Sequence, residues 1–371
     1  MSSKLKIRDF CDLVKGNSPT LKTEPGDYPL VVTAEFRRTA NSYQFDTEAV
    51  CIPLVSSTGH GNAAIHRVHY QTGKFALANI MVALVPTNLD ICDPKYLYYL
   101  MQSSKDYILV PLMKGTSNVS LKVKDIAEVE VCLPPLEKQR EIVSNIDSAI
   151  SKIEKIKNLR TSMLADAQAL LSSAFNQIIE GSVYKPMAEV APIVRRKIEI
   201  TFDGEYPELG TRSFGKGIFH KPTLIGAELE WQKLYTVHSG DLVFSNIKAW
   251  EGSIAAAGDD DHGRVGSHRY ITCVPVDGVT TANFLTFYLL TQEGIEQVQA
   301  ASPGSADRNR TLAMKRLEKI KVPIPDYAKQ IWFNQLQSYV AKIKQAQAEN
   351  EIELEALIPS ILDKAFKGEL V

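Results

Sequence analysis

Val129-Glu130-Val131-Cys132-Leu133-Pro134-Pro135-Leu136-Glu137-Lys138-Gln139-Arg140-Glu141-Ile142-Val143 reads as a short alternating strand, a proline stop and the first turns of a helix. The same order returns in Ile320-Lys321-Val322-Pro323-Ile324-Pro325-Asp326-Tyr327-Ala328-Lys329-Gln330. Pro325 and Gln330 each lie 191 positions after Pro134 and Gln139. Upstream, Ser120-Leu121-Lys122-Val123-Lys124-Asp125-Ile126 matches Thr311-Leu312-Ala313-Met314-Lys315-Arg316-Leu317 at that offset; downstream, Ala174-Phe175 matches Ala365-Phe366. A constant, gapless offset means one structural unit used twice.

Outward from this stretch, each copy has the same order. A turn-rich mixed region comes first, with strand-like pieces at 28–33 and 74–80, answered by 240–246. Short helices follow at 94–102 and 283–291, where Tyr96, Tyr98, Tyr99, Phe284, Phe287 and Tyr288 fall at helical spacing and are expected in the core. The long helix then runs from about 136 to 179, and again from about 327 to 366. In the first, Ile142, Ile146, Ile153, Ile156, Met163 and Leu170 form a heptad seam that Arg160 alone interrupts with a charge. In the second, Phe333, Val340, Leu354, Ile358 and Ile361 take the equivalent positions, with a polar middle at Gln337, Lys344, Gln347 and Glu351.

The expected architecture is two mixed α/β (α+β) domains, residues 1–135 and 182–326, separated by two long helices, residues 136–181 and 327–371. The helices are expected to pair as an antiparallel coiled coil, giving an internal pseudo-twofold repeat. A helix of ~40 residues spans ~60 Å, while a turn of DNA measures ~34 Å. Such a rod serves either as a ruler along DNA or as a spacer between any two domains, and pattern alone leaves both open.

Composition narrows the classes. The 371 residues are 44% hydrophobic and 23% charged, ordinary for a globular protein, with net charge −1. That charge argues against strong sequence-independent nucleic-acid binding but not against local basic patches. No apolar run is long enough for a membrane helix, and residues 1–8 alternate charge without an apolar signal core, so a cytoplasmic chain is expected. Cys11, Cys51, Cys92, Cys132 and Cys273 are scattered and read as buried free thiols; the histidines 60, 66, 69, 262 and 268 lack a clear set of companion ligands, so no metal is expected. Residues 210–217, Gly-Thr-Arg-Ser-Phe-Gly-Lys-Gly, imitate a phosphate-binding loop, but Gly217 replaces the hydroxyl that would hold magnesium and no helix opens after it. Neither an adenine methyltransferase motif at Pro134-Pro135 nor a cofactor glycine loop is present, and Pro325-Asp326 marks the start of a helix rather than a nuclease motif.

The strand, the prolines, Leu136-Glu137-Lys138-Gln139-Arg140-Glu141-Ile142-Val143 and a long heptad helix closing on Ala-Phe resemble the specificity subunit of type I restriction–modification systems. Residues 119–146 and 311–340 carry the likeness most clearly, with Ala365-Phe366-Lys367-Gly368-Glu369-Leu370 at the end; residues 209–217 and 263–269 look like segments of its target-recognition domains. The resemblance implies a non-catalytic chain whose mixed domains each read one half of a bipartite double-stranded DNA site. It implies helices that set the gap and dock two methyltransferase subunits, with a motor-nuclease subunit joining for restriction. No cofactor is expected on this chain; S-adenosylmethionine, ATP and magnesium are expected on its partners. A modification-only system and a coiled-coil interaction scaffold are the alternatives.

Reading bases requires donors and acceptors that reach base edges, and loops rich in Gly, Ser, Arg and Asn are the natural carriers. In the first domain the candidates are Arg37, Arg38, His60, Asn62, Lys114, Thr116, Ser117 and Asn118. In the second they are Arg212, Ser213 and Lys216, then Arg264, His268 and Arg269, then Arg308, Asn309 and Arg310.

Overall fold

The computed structural model describes residues 3–58, 61–229, 233–304, 310–367 and 369. The chain forms two compact units, Met1–Arg160 with Ala348–Val371, and Thr161–Gln347.

In the first unit, one four-stranded sheet orders Cys11–Lys15, Met81–Pro86, Ala49–Pro53 and His69–Gln71, all antiparallel. The other orders Arg38–Ala40, Tyr28–Val31, Lys74–Leu77 and Phe45–Asp46, with a parallel pairing between the middle two. Ala49–Pro53 is buried at every position because both its faces are covered: Val50 and Ile52 belong to one apolar cluster, Ala49 and Cys51 to another. The helix Pro94–Ile108 starts where Asp93 accepts the Lys95 and Tyr96 backbone N–H groups, each at 2.9 Å, with proline in the first turn. In the second unit, a three-stranded sheet built on Leu242–Ser245 packs with the helices Ala282–Leu289 and Gln292–Ala300, and a five-stranded sheet meets it through Leu209 and Val243.

The duplication is visible at atomic detail. In the first unit Ser3–Lys6 pairs with Glu130–Leu133; in the second Val183–Pro186 pairs with Lys321–Ile324. Gln139 is fully buried and donates to the carbonyls of Ile91 and Pro134, each at 2.8 Å, while accepting the Asp93 N–H at 2.9 Å. Its counterpart Gln330, also fully buried, donates to the carbonyls of Val279 and Pro325 at 2.9 Å and accepts the Thr280 hydroxyl at 2.9 Å. Each glutamine clasps the start of a long helix to the domain before it.

Within each unit the domain also holds the far end of a long helix. Phe366 meets Tyr96 edge-on at 5.5 Å, beside a cluster of Tyr99, Ile146, Leu362 and Ala365. Phe175 packs among Phe284, Phe287, Tyr288 and Phe333. Tyr96, Tyr99, Phe284 and Tyr288 are buried, and Tyr98 and Phe287 partly so.

Three sequence expectations need correction. The first long helix, Leu136–Ile179, buries Ile146 and Ile153 as expected, and Ile142 partly. But Ile156, Met163 and Leu170 stand 43%, 44% and 53% exposed; the half-buried and buried row is one residue further on, at Lys157, Leu164 and Leu171. The first row is apolar throughout while the second begins with Lys157, so periodicity pointed to the row that the fold leaves exposed. The second long helix is two helices, Tyr327–Glu349 and Glu351–Lys367, meeting at Asn350. Residues 344–351 offer no aliphatic side chain larger than alanine to bury, and asparagine is a poor helix former, so the polar middle is where the helix parts. Phe333, Val340 and Leu354 are buried there and Ile358 and Ile361 partly so. Cys132, finally, is exposed, on the outward phase of the strand Glu130–Leu133; the other four thiols are buried, and burial pushes Cys51, Cys92 and Cys273 up to about 12.

Candidate nucleic-acid interface

In the first unit the fold brings two of the candidate loops together. Lys114 and Ser120 exchange backbone hydrogen bonds at 2.9 Å, and the Ser56 N–H donates to Val119 at 3.0 Å. Ser56 Oγ in turn donates to the Asn62 carbonyl at 2.6 Å. Gly61 has φ +81°, and a Cβ there would lie 2.6 Å from the Thr116 carbonyl oxygen, so only glycine lets the two loops approach this closely. Asn62, Lys114, Thr116, Ser117 and Asn118 all project to solvent from this surface, while His60 lies outside the described residues. A 500 Å³ cleft lined by Thr33, Phe36, Ser56, Ser57 and Arg67 borders it.

Arg37 is differently placed from its neighbours. It is half-buried, with Nε on Gln71 Oε1 at 2.8 Å, Nη1 on His69 Nδ1 at 3.0 Å and Nη2 on the Tyr70 carbonyl at 3.2 Å. These bonds make it a strut of the fold, because its donors are already engaged. Burial lowers its pKa, and burial together with the Arg37 and Arg67 charges takes His69 down to about 4, so that ring is neutral and accepts at Nδ1. Arg38 is exposed and reaches the Thr20 carbonyl; Arg67, not singled out from sequence, pairs with Glu35 at 2.7 Å.

The second unit gathers more. Arg212, Ser213 and Lys216 lie on the turn between the strands Glu205–Thr211 and Ile218–Ile225. This turn leads into a strand, not a helix, so it offers no row of helix N–H groups to a phosphate. Ser213 Oγ donates to Glu251 at 3.0 Å, and Lys248 holds the same carboxylate at 2.7 Å. The Lys248 ammonium, seconded by the Ser213 hydroxyl, keeps Glu251 below the usual carboxylate range. Beside it the Trp250 ring carries two cations, Arg310 at 4.6 Å and Lys248 at 5.3 Å from its centroid. Arg269 joins through the backbone: its carbonyl accepts the Asn246 N–H at 2.8 Å, and the Asn246 carbonyl accepts the Leu312 N–H at 2.7 Å.

Segments far apart in sequence thus converge around Trp250, where a guanidinium and an ammonium lie over the ring and the Ser213 hydroxyl holds the neighbouring Glu251 carboxylate. Guanidinium, ammonium and hydroxyl groups are the side-chain types that contact phosphate and base edges in nucleic-acid complexes. Among the described residues no three His, Cys, Asp or Glu side chains form a metal-holding group. Arg264 stands apart, half-buried with Nε on the Asp260 carbonyl at 3.2 Å, while His268 is exposed and its carbonyl accepts from Arg195 at 3.3 Å. Arg308 and Asn309 lie outside the described residues.

The type I restriction modification DNA specificity domain, as a family model, matches residues 2–162 and 181–354. The chain belongs to this family. The domain model thus matches this chain twice, once in each half. The type I restriction enzyme EcoDI specificity subunit of Escherichia coli is 26% identical over 132 residues, 36% of this chain and 27% of that protein. A type I specificity subunit of Mycoplasma pneumoniae is 28% identical over 145 residues, 37% of this chain and 44% of that protein. The matched stretches thus span less than half of these relatives. The HsdS subunit from Thermoanaerobacter tengcongensis shares the fold at TM-score 0.60 and 19% identity, covering 99% of this chain and 97% of that one. A chain from a structure described as underlying complex assembly and conformational transition of the type I R-M system aligns at TM-score 0.61 and 19% identity, over 99% and 98% of the two chains.

In this specificity chain, sequence reasoning missed Arg195, Asn246, Lys248 and Trp250. Arg195 stacks on Tyr235 at 3.8 Å beside the candidate loop at His268. The run Asn246-Ile247-Lys248-Ala249-Trp250 interleaves amide, cation and aromatic, a signal that could have found three of the four. No helix among the described residues is long and apolar enough to cross a membrane.

Proposed function

We propose that this chain reads a split double-stranded DNA target, residues 1–135 taking one half-site and residues 182–326 the other. The convergence of basic segments on Trp250 in the second unit is the observation that carries the reading. The first unit supports it with the joined loops at Asn62 and Thr116. The half-sites differ, because the reading loops of the two copies share little while their clasps and helices correspond.

The helices, residues 136–181 and 327–371, act as the spacer, paired antiparallel in a pseudo-twofold coiled coil. Ile146 beside Leu362 and Ala365 in one unit, and Phe175 beside Phe333 in the other, support that direction of pairing. A helix of 44 residues is ~66 Å long, enough to hold half-sites more than one DNA turn apart. The exposed row of Ile156, Leu159, Met163 and Leu170, with Ile331, Trp332, Tyr339 and Ile343 on the second helix, is the docking surface for two methyltransferase subunits. The chain itself carries no chemistry. S-adenosylmethionine is bound by those partners, and ATP and magnesium by a motor-nuclease subunit where one joins, in the cytoplasm.

The test is methylation mapping of DNA from cells that express the methyltransferase subunit with and without this chain. A split motif with methylated adenines in both halves, present only with the chain, is expected. Assembly of the complex with no chain-dependent motif would reject the reading in favour of an interaction scaffold.

A further inference from the structure

Phe214 sits on the turn 212–217, which is hydrogen-bonded to the segment that carries Trp250. Its φ is +62°, and among the described residues it is the one non-glycine residue with a left-handed backbone. That conformation is costly for a bulky side chain and persists only where its surroundings enforce it. Here they do. The Phe214 N–H donates to the Glu251 carbonyl at 2.8 Å, the Gly215 N–H to the Gly252 carbonyl at 2.9 Å, and the Arg212 N–H to the Gly217 carbonyl at 2.9 Å. Gly215 follows with φ +64°, where a Cβ would lie 2.6 Å from Leu290 Cδ1, so the loop is pressed onto the domain beneath it.

The ring is held outward, 73% exposed, so burial does not offset the strain. Its surroundings are cationic. Lys216 Nζ lies 6.0 Å from the ring centroid, Arg212 sits over Phe219 at 4.9 Å, and the adjacent carboxylate, Glu251, is neutralised by Lys248. An exposed apolar ring alone would suit a protein partner; a rigid ring framed by phosphate-binding cations suits DNA. Apolar side chains presented in this way enter between base pairs, unstack one step and kink the duplex.

We propose that Phe214 is a wedge, inserting at one base-pair step of the half-site engaged by the second unit while Arg212 and Lys216 hold the flanking phosphates. The proposal rests on the DNA-reading function above. It also predicts that the step entered is a pyrimidine–purine step, since those unstack most readily.

The test uses the complex of this chain with its methyltransferase subunits and duplexes carrying 2-aminopurine at successive positions of that half-site, the methylated adenine excepted. With the native chain, fluorescence rises at one step. Phe214→Gly, whose residue suits the positive φ and so cannot fail through strain, abolishes the rise and weakens binding roughly tenfold, within the ~5- to 150-fold range of one base–aromatic stack. Phe214→Trp retains the rise. A native complex that binds the split site with no bright step, or a Phe214→Gly complex that is equally bright, overturns the wedge but leaves the reading function standing. Loss of subunit assembly in Phe214→Gly also overturns it, assigning the ring to a protein interface. A native complex that binds no split site at all overturns the function and the wedge together.

Discussion

Replacing Gln330 with leucine removes one side chain but orphans three groups. The carbonyls of Val279 and Pro325 lose their donor and the Thr280 hydroxyl its acceptor, in a site where Gln330 is fully buried and Thr280 is 2% exposed. Each buried polar group left unsatisfied costs ~1–3 kcal/mol. Leucine recovers part of this by filling the space with apolar surface, so the net loss is about 4 kcal/mol. A unit of ~150–250 residues moves ~2–4 °C per kcal/mol, so its transition falls by about 8–16 °C. Gln139→Leu should do the same to the first unit, where the Asp93 N–H and the carbonyls of Ile91 and Pro134 are orphaned. Urea unfolding followed by circular dichroism, with hydrogen exchange to locate the unit that opens, measures both. The far ends of the helices, near Phe175 and Phe366, should keep their protection until the unit that holds them opens. A loss below ~1 kcal/mol in either variant would refute the clasp argument, since the three groups must then find other partners at little cost.

Three further outcomes are expected. Burial and the Arg37 and Arg67 charges take His69 down to about 4, so between the ordinary value near 6.5 and pH 4 the unfolded chain binds a proton that the folded chain refuses. The first unit should therefore hold its stability above pH 6.5 and lose up to ~3 kcal/mol as pH falls to 4, and His69→Gln should flatten that slope in urea titrations. Arg310→Ala should weaken DNA binding by the methyltransferase complex ~5- to 150-fold and reduce the salt slope by about 1, and Trp250→Ala, which removes the face beneath Arg310 and Lys248, should weaken it comparably; anisotropy at several salt concentrations measures both. Seven residues added after Arg160 and seven after Gln347 lengthen the spacer by ~10.5 Å, so methylation mapping should show the gap widened by about three base pairs with the read bases unchanged.

Much of the architecture was legible because it is repeated. The offset of 191 residues marked the strand before each long helix, the matching glutamines and the helix starts, while the partners of those strands and glutamines, distant in sequence, were left to the fold. The side of the first helix that packs was not legible. Ile156, Met163 and Leu170 match an apolar heptad better than Lys157, Leu164 and Leu171 do, yet the fold half-buries the row that carries the lysine. Its long stem is the reason, since it can lie along apolar surface while the ammonium reaches solvent. The interface was legible as separate loops only. Nothing local in Arg310 tells that it will stack on Trp250, sixty positions away, or in Gly61 that it will touch Thr116. Arg37 shows the converse: a basic residue in a candidate reading loop whose donors the fold takes for itself.

The two copies agree where they must and differ where they can. Gln139 and Gln330 each sit at the junction of strand, domain and helix, where a change in length or angle would pass along the whole spacer. A clasp made of backbone carbonyls is insensitive to the side chains around it, so the domain above can change its loops without disturbing the helix below. The loops differ accordingly: the first unit builds its surface on a glycine contact between two turns, the second on an aromatic ring bearing two cations. Exchanging residues 1–135 for the corresponding domain of another family member should therefore succeed only when Gln139 keeps two carbonyls and one donor to clasp, and should then change one half-site alone. An exchanged chain that folded with that clasp intact yet altered both half-sites would show that reading and spacing are not separable.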